Sequence, residues 1–115
     1  MESLRGEKML MRIFIGESDT FGRVPLYEAL VELFRKEGCA GATVLRGVAG
    51  FGAHSVYHTD RLLRLSADLP MVVEVVESEG TLAALMPRLS EMMQGGMITM
   101  EKVQVVHYAP RAAGS

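Results

Sequence analysis

Three groups of residues in this 115-residue chain could do chemistry beyond supporting a fold. The first is Gly47-Val48-Ala49-Gly50-Phe51-Gly52, three glycines in six residues, with Arg46 directly before them. Recognition of a phosphate or another oxyanion needs exposed backbone N–H groups and a fixed cation. Glycines permit the close approach and an arginine fork supplies the charge. The same glycines fit a β-bulge or a strand bend at a subunit seam, and on the residues alone both readings stay open. Arg61 and Arg64 are further candidate anion clamps, with surface or inter-subunit salt bridges as the alternative.

His54 and His58 form the second group: four residues apart, they would share one face of a helix and could hold zinc. Asp60, Glu101 or the distant His107 would have to complete the ligand set. Otherwise the two are loop histidines that titrate near neutral pH. The third group is Glu17 and Asp19, close enough in sequence for a paired-carboxylate site and equally suited to capping a loop. Cys39 follows a helix-stop glycine without an activating partner and reads as a small apolar residue rather than a nucleophile. No Ser-His-Asp or Cys-His order, Walker A sequence or dinucleotide fingerprint occurs, so no catalytic residue is assigned and enzymatic activity is not expected.

Charge and composition narrow the partners. Twelve basic against fourteen acidic residues give a formal net charge of −2, leaving no global field for nucleic acid or an anionic membrane, so any anion must be held locally. A single cysteine excludes an internal disulfide, and the first residues lack a secretory pattern, which points to the cytoplasm. Apolar runs fall far short of the roughly 20 residues that cross a bilayer, so no membrane insertion is expected. Hydrophobic residues make up 49% and charged residues 23%, as in an ordinary folded domain. The chain reads as one domain over residues 1–108 with a flexible tail at 109–115.

The elements that must position these residues follow from periodicity. Residues 9–15 read as a strand ending at Gly16. Pro25 then suits the first turn of a helix with the stripe Leu26, Leu30, Leu33 and Phe34, stopped by Gly38. A second strand covers 42–46 and continues weakly to Gly52, a long loop fills 53–68, and a third strand covers 71–76. Ser78 or Thr81 caps a helix with the stripe Leu82, Leu85, Met86, Leu89, Met92 and Met93; Pro87 should kink or break it, and Gly95-Gly96 stops it. A fourth strand spans 97–108. The order β-α-β-β-α-β is the ferredoxin-like α+β arrangement, a four-stranded antiparallel sheet with both helices on one face. Strand three puts Met71, Val73 and Val75 on one face and Val72 and Val76 on the other, and strand one is likewise two-sided. Two helices cover only one side, so the other is expected to pack against copies of the same chain.

Several of these segments carry a family resemblance. Gly41-Ala42-Thr43-Val44-Leu45-Arg46 followed by Gly50-Phe51-Gly52, and later Leu69-Pro70 opening a strand, resemble the PII signalling proteins at their second strand, the exit into the T-loop and the third strand. Gly96-Met97-Ile98-Thr99-Met100-Glu101-Lys102 sits where that family has its B-loop ending in lysine. Pro25-Leu26-Tyr27-Glu28-Ala29 and His58-Thr59 look like the DUF-type branch of PII-like proteins. The resemblance implies a homotrimer with its sheets turned inward and clefts between subunits that bind an adenine nucleotide such as AMP, ADP or ATP, or a related small anion. It also implies a regulatory role, with the loop 53–68 changing order on binding and contacting a protein target. On this basis Thr43, Arg46, Gly50, Gly52, Thr99 and Lys102 are the expected ligand-binding residues, with no metal. Thr99-Met100-Glu101 stands in place of the family's Gly-Asp-Gly, and the paired arginines beyond strand four are missing, which leaves smaller nucleotides and other anions open as ligands. The alternative from another class is a ferredoxin-like trimer that binds metal, or catalyses a small-molecule reaction, through His54, His58 and Asp60 or Glu101.

Overall fold

Alternating large apolar residues with β-branched neighbours make the first long element a strand. In the computed structural model, which describes residues 4–51 and 68–110, this is β1, Gly6–Gly16, three residues longer at its start than the apolar pattern predicts. A tight hairpin follows, β2 (Thr20–Phe21) paired antiparallel with β3 (Val24–Pro25), where the sequence showed only turn punctuation. Helix α1, Leu26–Lys36, starts directly after Pro25. Proline offers no capping side chain, and the Leu26 N–H instead donates to the Asp19 carbonyl at 2.8 Å, so the turn between β1 and β2 satisfies one orphan donor of the helix. Arg35 and Lys36 in the last turn complement the helix dipole.

The next strand, β4 (Thr43–Arg46), is shorter than expected and does not run on to Gly52. β5 (Pro70–Glu77) leads into α2 (Glu79–Met92), whose N-cap is Ser78: its hydroxyl accepts from the Thr81 N–H at 3.3 Å. Of the two outcomes expected at Pro87, a kink or a break, α2 does not show the break. Proline costs one i→i−4 bond, but Leu82, Leu85 and Leu89 on both sides of it are fully buried and hold the two halves to the same core. β6 (Met97–Val105) ends three residues before the predicted limit. Gly96, at φ +99, lets the chain turn between α2 and β6; a Cβ there would meet the Phe14 carbonyl oxygen at 2.5 Å.

The sheet order is β4-β5-β1-β6, with every pairing antiparallel, which is the ferredoxin-like arrangement expected. Met11, Ile13 and Ile15 of β1 and Met71, Val73 and Val75 of β5 form one face. They are buried against Leu26, Leu30, Leu33 and Phe34 of α1 and Leu82, Leu85 and Leu89 of α2. Each such side chain contributes about 1.5–3 kcal/mol through burial. Among the described residues no helix is long and apolar enough to cross a membrane.

Candidate functional site

The face of the sheet away from the helices is set by register. Reading across from β4 to β6, one row is Leu45, Val72, Phe14 and Met97, and the next is Thr43, Glu74, Arg12 and Thr99. Leu10, between Val76 and Glu101, begins the third. The first row is apolar, with Leu45 47% and Met97 53% exposed. The second is polar and is organised by Arg12, whose Nε donates to Glu74 Oε2 at 2.9 Å and whose Nη1 donates to Glu101 Oε1 at 2.6 Å. The Glu74 hydrogen bond, then the Glu101 one, holds the Arg12 guanidinium even more firmly protonated than usual. Two carboxylates around one arginine leave this cluster with one excess negative charge, which Lys8, on the same face of β1, balances across the face.

At the β4–β5 end of the sheet, a second cluster surrounds Arg46 and the glycines. The Gly47 N–H donates to the Pro70 carbonyl at 2.7 Å, so it belongs to the sheet's pairing and is not a free donor for a phosphate. A Cβ on Gly47 would meet Pro70 Cβ at 3.1 Å, so the close backbone approach expected of this glycine is to Pro70. Gly50, at φ +146, also stands against Pro70, and this conformation favours glycine. Arg46 Nη2 donates to Glu17 Oε2 at 2.5 Å. The turn carrying Glu17 is fixed by the Gly16 N–H donating to Asp19 Oδ2 at 3.0 Å and the Ser18 N–H donating to Asp68 Oδ1 at 3.2 Å. Asp19 is thus the loop cap that one reading of the sequence allowed. Glu17 is not part of a carboxylate pair: it is the partner of Arg46.

The remaining expected ligand residues lie elsewhere. Thr99 and Lys102 are inside β6 and not in a glycine-rich loop, because the connection from α2 is short and pairing with β1 begins at Met97. Thr99 lies on the open face opposite Arg12, whereas Lys102 faces Met9 on the helix side. Thr43 and Thr99 share one row but sit on opposite edges of the sheet, three strand spacings or roughly 14 Å apart. A single chain therefore does not bring the set together. Gly52, His54, His58, Asp60, Arg61, Arg64 and the loop 53–67 lie outside the described residues. Among the described residues no group of three or more His, Cys, Asp or Glu side chains is placed to hold a metal ion. Cys39 packs partly against the core, and burial, then Glu77 and Glu37, pushes its thiol up from the ordinary value, away from nucleophilic use. A groove of about 750 Å³ between the helices and the β2–β3 hairpin, lined by apolar residues such as Phe21, Leu33 and Met92 and by charged ones such as Glu28, Lys36 and Arg88, contains none of the expected ligand residues.

Sequence reasoning named Arg46 and Glu17 separately but missed their pairing, and it missed the Arg12, Glu74 and Glu101 cluster. The signal for the second was present: Arg12 and Glu74 are charged interruptions in two otherwise apolar strands.

The fold and its residues have relatives. The structure resembles that of CPII, a nitrogen regulatory PII-like protein from Thiomonas intermedia K12 bound to ADP, AMP and bicarbonate, with TM-score 0.59 and 16% identity over 88% of this chain and 90% of that one. It also resembles a candidate PII-like signalling protein from Thermus thermophilus, with TM-score 0.61 and 21% identity over 88% and 91%. At these identities the likeness establishes the fold. In sequence, a UPF0166 protein of Aquifex aeolicus is 34% identical over 101 residues, 88% of this chain and 95% of that protein. A UPF0166 protein of Methanocaldococcus jannaschii is 31% identical over 97 residues, 84% and 89%. The family model DUF190 (Uncharacterized ACR, COG1993) matches residues 8–105, nearly the whole of the ordered sheet and both helices, and the chain belongs to that family.

Proposed function

We propose that this chain is a cytoplasmic regulatory protein of PII type rather than an enzyme. It would assemble as a homotrimer through the open face of its sheet, bind an adenine nucleotide or a related small anion in the clefts between subunits, and contact a protein target through residues 53–68. The observation that carries this reading is the sheet itself. Leu10, Phe14, Val72, Val76, Leu45 and Met97 form an apolar surface without cover from either helix, and Thr43 and Thr99 of the expected ligand set stand on its two opposite edges. A nucleotide could engage both edges only where one chain meets another. The PII-like fold supports the reading, and CPII, bound to ADP, AMP and bicarbonate, supplies the ligand class to test.

Thr43 would contact the base, Gly50 and Gly52 would shape the cleft at the end of β4, and Arg46 and Lys102 would meet the anionic group, while Thr99, on the opposite face of β6 from Lys102, would line the cleft from the open face. Thermal-shift measurements on dialysed protein with AMP, ADP, ATP, cyclic nucleotides and bicarbonate test the binding, because a ligand selective for the folded state raises the melting temperature by mass action. Sedimentation tests the assembly. A single-chain mass at micromolar concentration, or no shift with any of these ligands, would refute the proposal. Lys102→Ala is expected to weaken nucleotide binding about tenfold or more, since a charge-assisted hydrogen bond is worth about 1.5–3 kcal/mol. Unchanged calorimetric affinity would remove Lys102 from the site.

A further inference from the structure

Arg46 is the strongest anion-binding side chain near the end of β4, and it is already engaged by Glu17. The two partners are unequally placed: the Glu17 side chain is 18% exposed and the Arg46 side chain 58%. The carboxylate is the fixed member. Its own backbone N–H donates to the Leu69 carbonyl at 2.8 Å, and the residues on either side are tied down through Asp19 and Asp68. Glu17 takes one prong of the guanidinium, through Nη2. The rest of the fork makes no other hydrogen bond among the described residues, on a side chain that is more than half exposed. A planar guanidinium binds an oxyanion best through two parallel N–H donors, and it reaches that geometry with a phosphate or carboxylate ligand most readily by giving up Glu17.

We infer that Glu17 is a built-in anion that holds Arg46 in the ligand-free protein and is displaced by the anionic group of the ligand. It therefore sets the threshold charge a ligand must carry to bind. This rests on the nucleotide reading above and adds its selectivity. A ligand with a phosphoryl group offers more negative charge than one carboxylate and replaces it, whereas a neutral nucleoside leaves the Arg46 and Glu17 pair closed. A purely structural pair, stapling the end of β4 to the end of β1, would have no such preference.

Calorimetric titration with ADP, AMP and adenosine separates these cases, using the wild-type protein, Glu17→Gln, Arg46→Ala and the double variant. Glu17→Gln is expected to bind ADP and AMP about tenfold more tightly, near the low end of what one charge-assisted hydrogen bond is worth, with adenosine affinity unchanged. The gain should vanish in the Arg46→Ala background, since it acts through that side chain. Equal ADP affinity in the wild type and Glu17→Gln overturns the inference while leaving the nucleotide reading intact. So does a gain that persists without Arg46, which would be a general field effect. Absence of ADP and AMP binding in every variant overturns the inference, and absence of a thermal shift with the wider ligand set above overturns the nucleotide reading as well. If Glu17→Gln fails to fold, Glu17→Asp, which keeps the charge but shortens its reach, should show the same gain in smaller measure, and no gain there overturns the inference.

Discussion

The two faces of the sheet are made from the same strands and have opposite fates. In β1 and β5, Met11, Ile13, Ile15, Met71, Val73 and Val75 are almost completely buried beneath α1 and α2. Their immediate neighbours Leu10, Arg12, Phe14, Val72, Glu74 and Val76 turn to the other side and are only half-buried. The covered face is wholly apolar, while the open one crosses an apolar row with a polar row centred on Arg12. A strand that needed cover on one side only would place polar residues at every alternate position. That this one does not is the physical case for a second layer supplied by other chains.

Substitutions on the two faces test the difference. The largest effect belongs to the covered face: Ile13→Ala should cost about 2–5 kcal/mol of folding stability, because the cavity beneath two helices cannot collapse. Chemical denaturation should give the same loss at every protein concentration. Phe14→Ala removes a bulkier side chain one residue away, yet under the proposed assembly through the open face its cost should shrink on dilution. A cost equal to that of Ile13→Ala and independent of concentration would show that the open face is complete within one chain. A third effect is smaller and lies outside both faces: Ser78→Ala should remove about 1 kcal/mol by leaving the Thr81 N–H uncapped, measured by the same denaturation. The subtlest is electrostatic. Arg12→Met leaves Glu74 and Glu101 unpaired on the open face and should make sedimentation of the assembly strongly salt-dependent, whereas the wild type should respond little.

Much of this architecture is legible in the residues. The stripe Leu26, Leu30, Leu33 and Phe34 marks α1, Ser78 marks the start of α2, and the odd-numbered residues 71–75 mark the covered face of β5. What could not be read falls into two kinds. The β2–β3 hairpin uses two residues per strand, too few for alternation to show. Pro87 breaks a local rule that tertiary packing overrides. The candidate site belongs to the second kind as well. Thr99 and Lys102 lie in the strand that periodicity expects over 97–108 and not in the B-loop that the family resemblance implies, because pairing with β1 begins at Met97.

By itself the sequence determined the order of the long elements and the two-sided strands, because period and capping are local properties. Only the tertiary structure decided that Arg46 is held by Glu17, 29 residues away, that Arg12 gathers carboxylates from the two strands beside it, and that Thr43 and Thr99 stand on opposite edges. Contacts of this kind depend on which strands become neighbours and in what register. That choice is made by burial of the common core and leaves no mark at the positions it brings together.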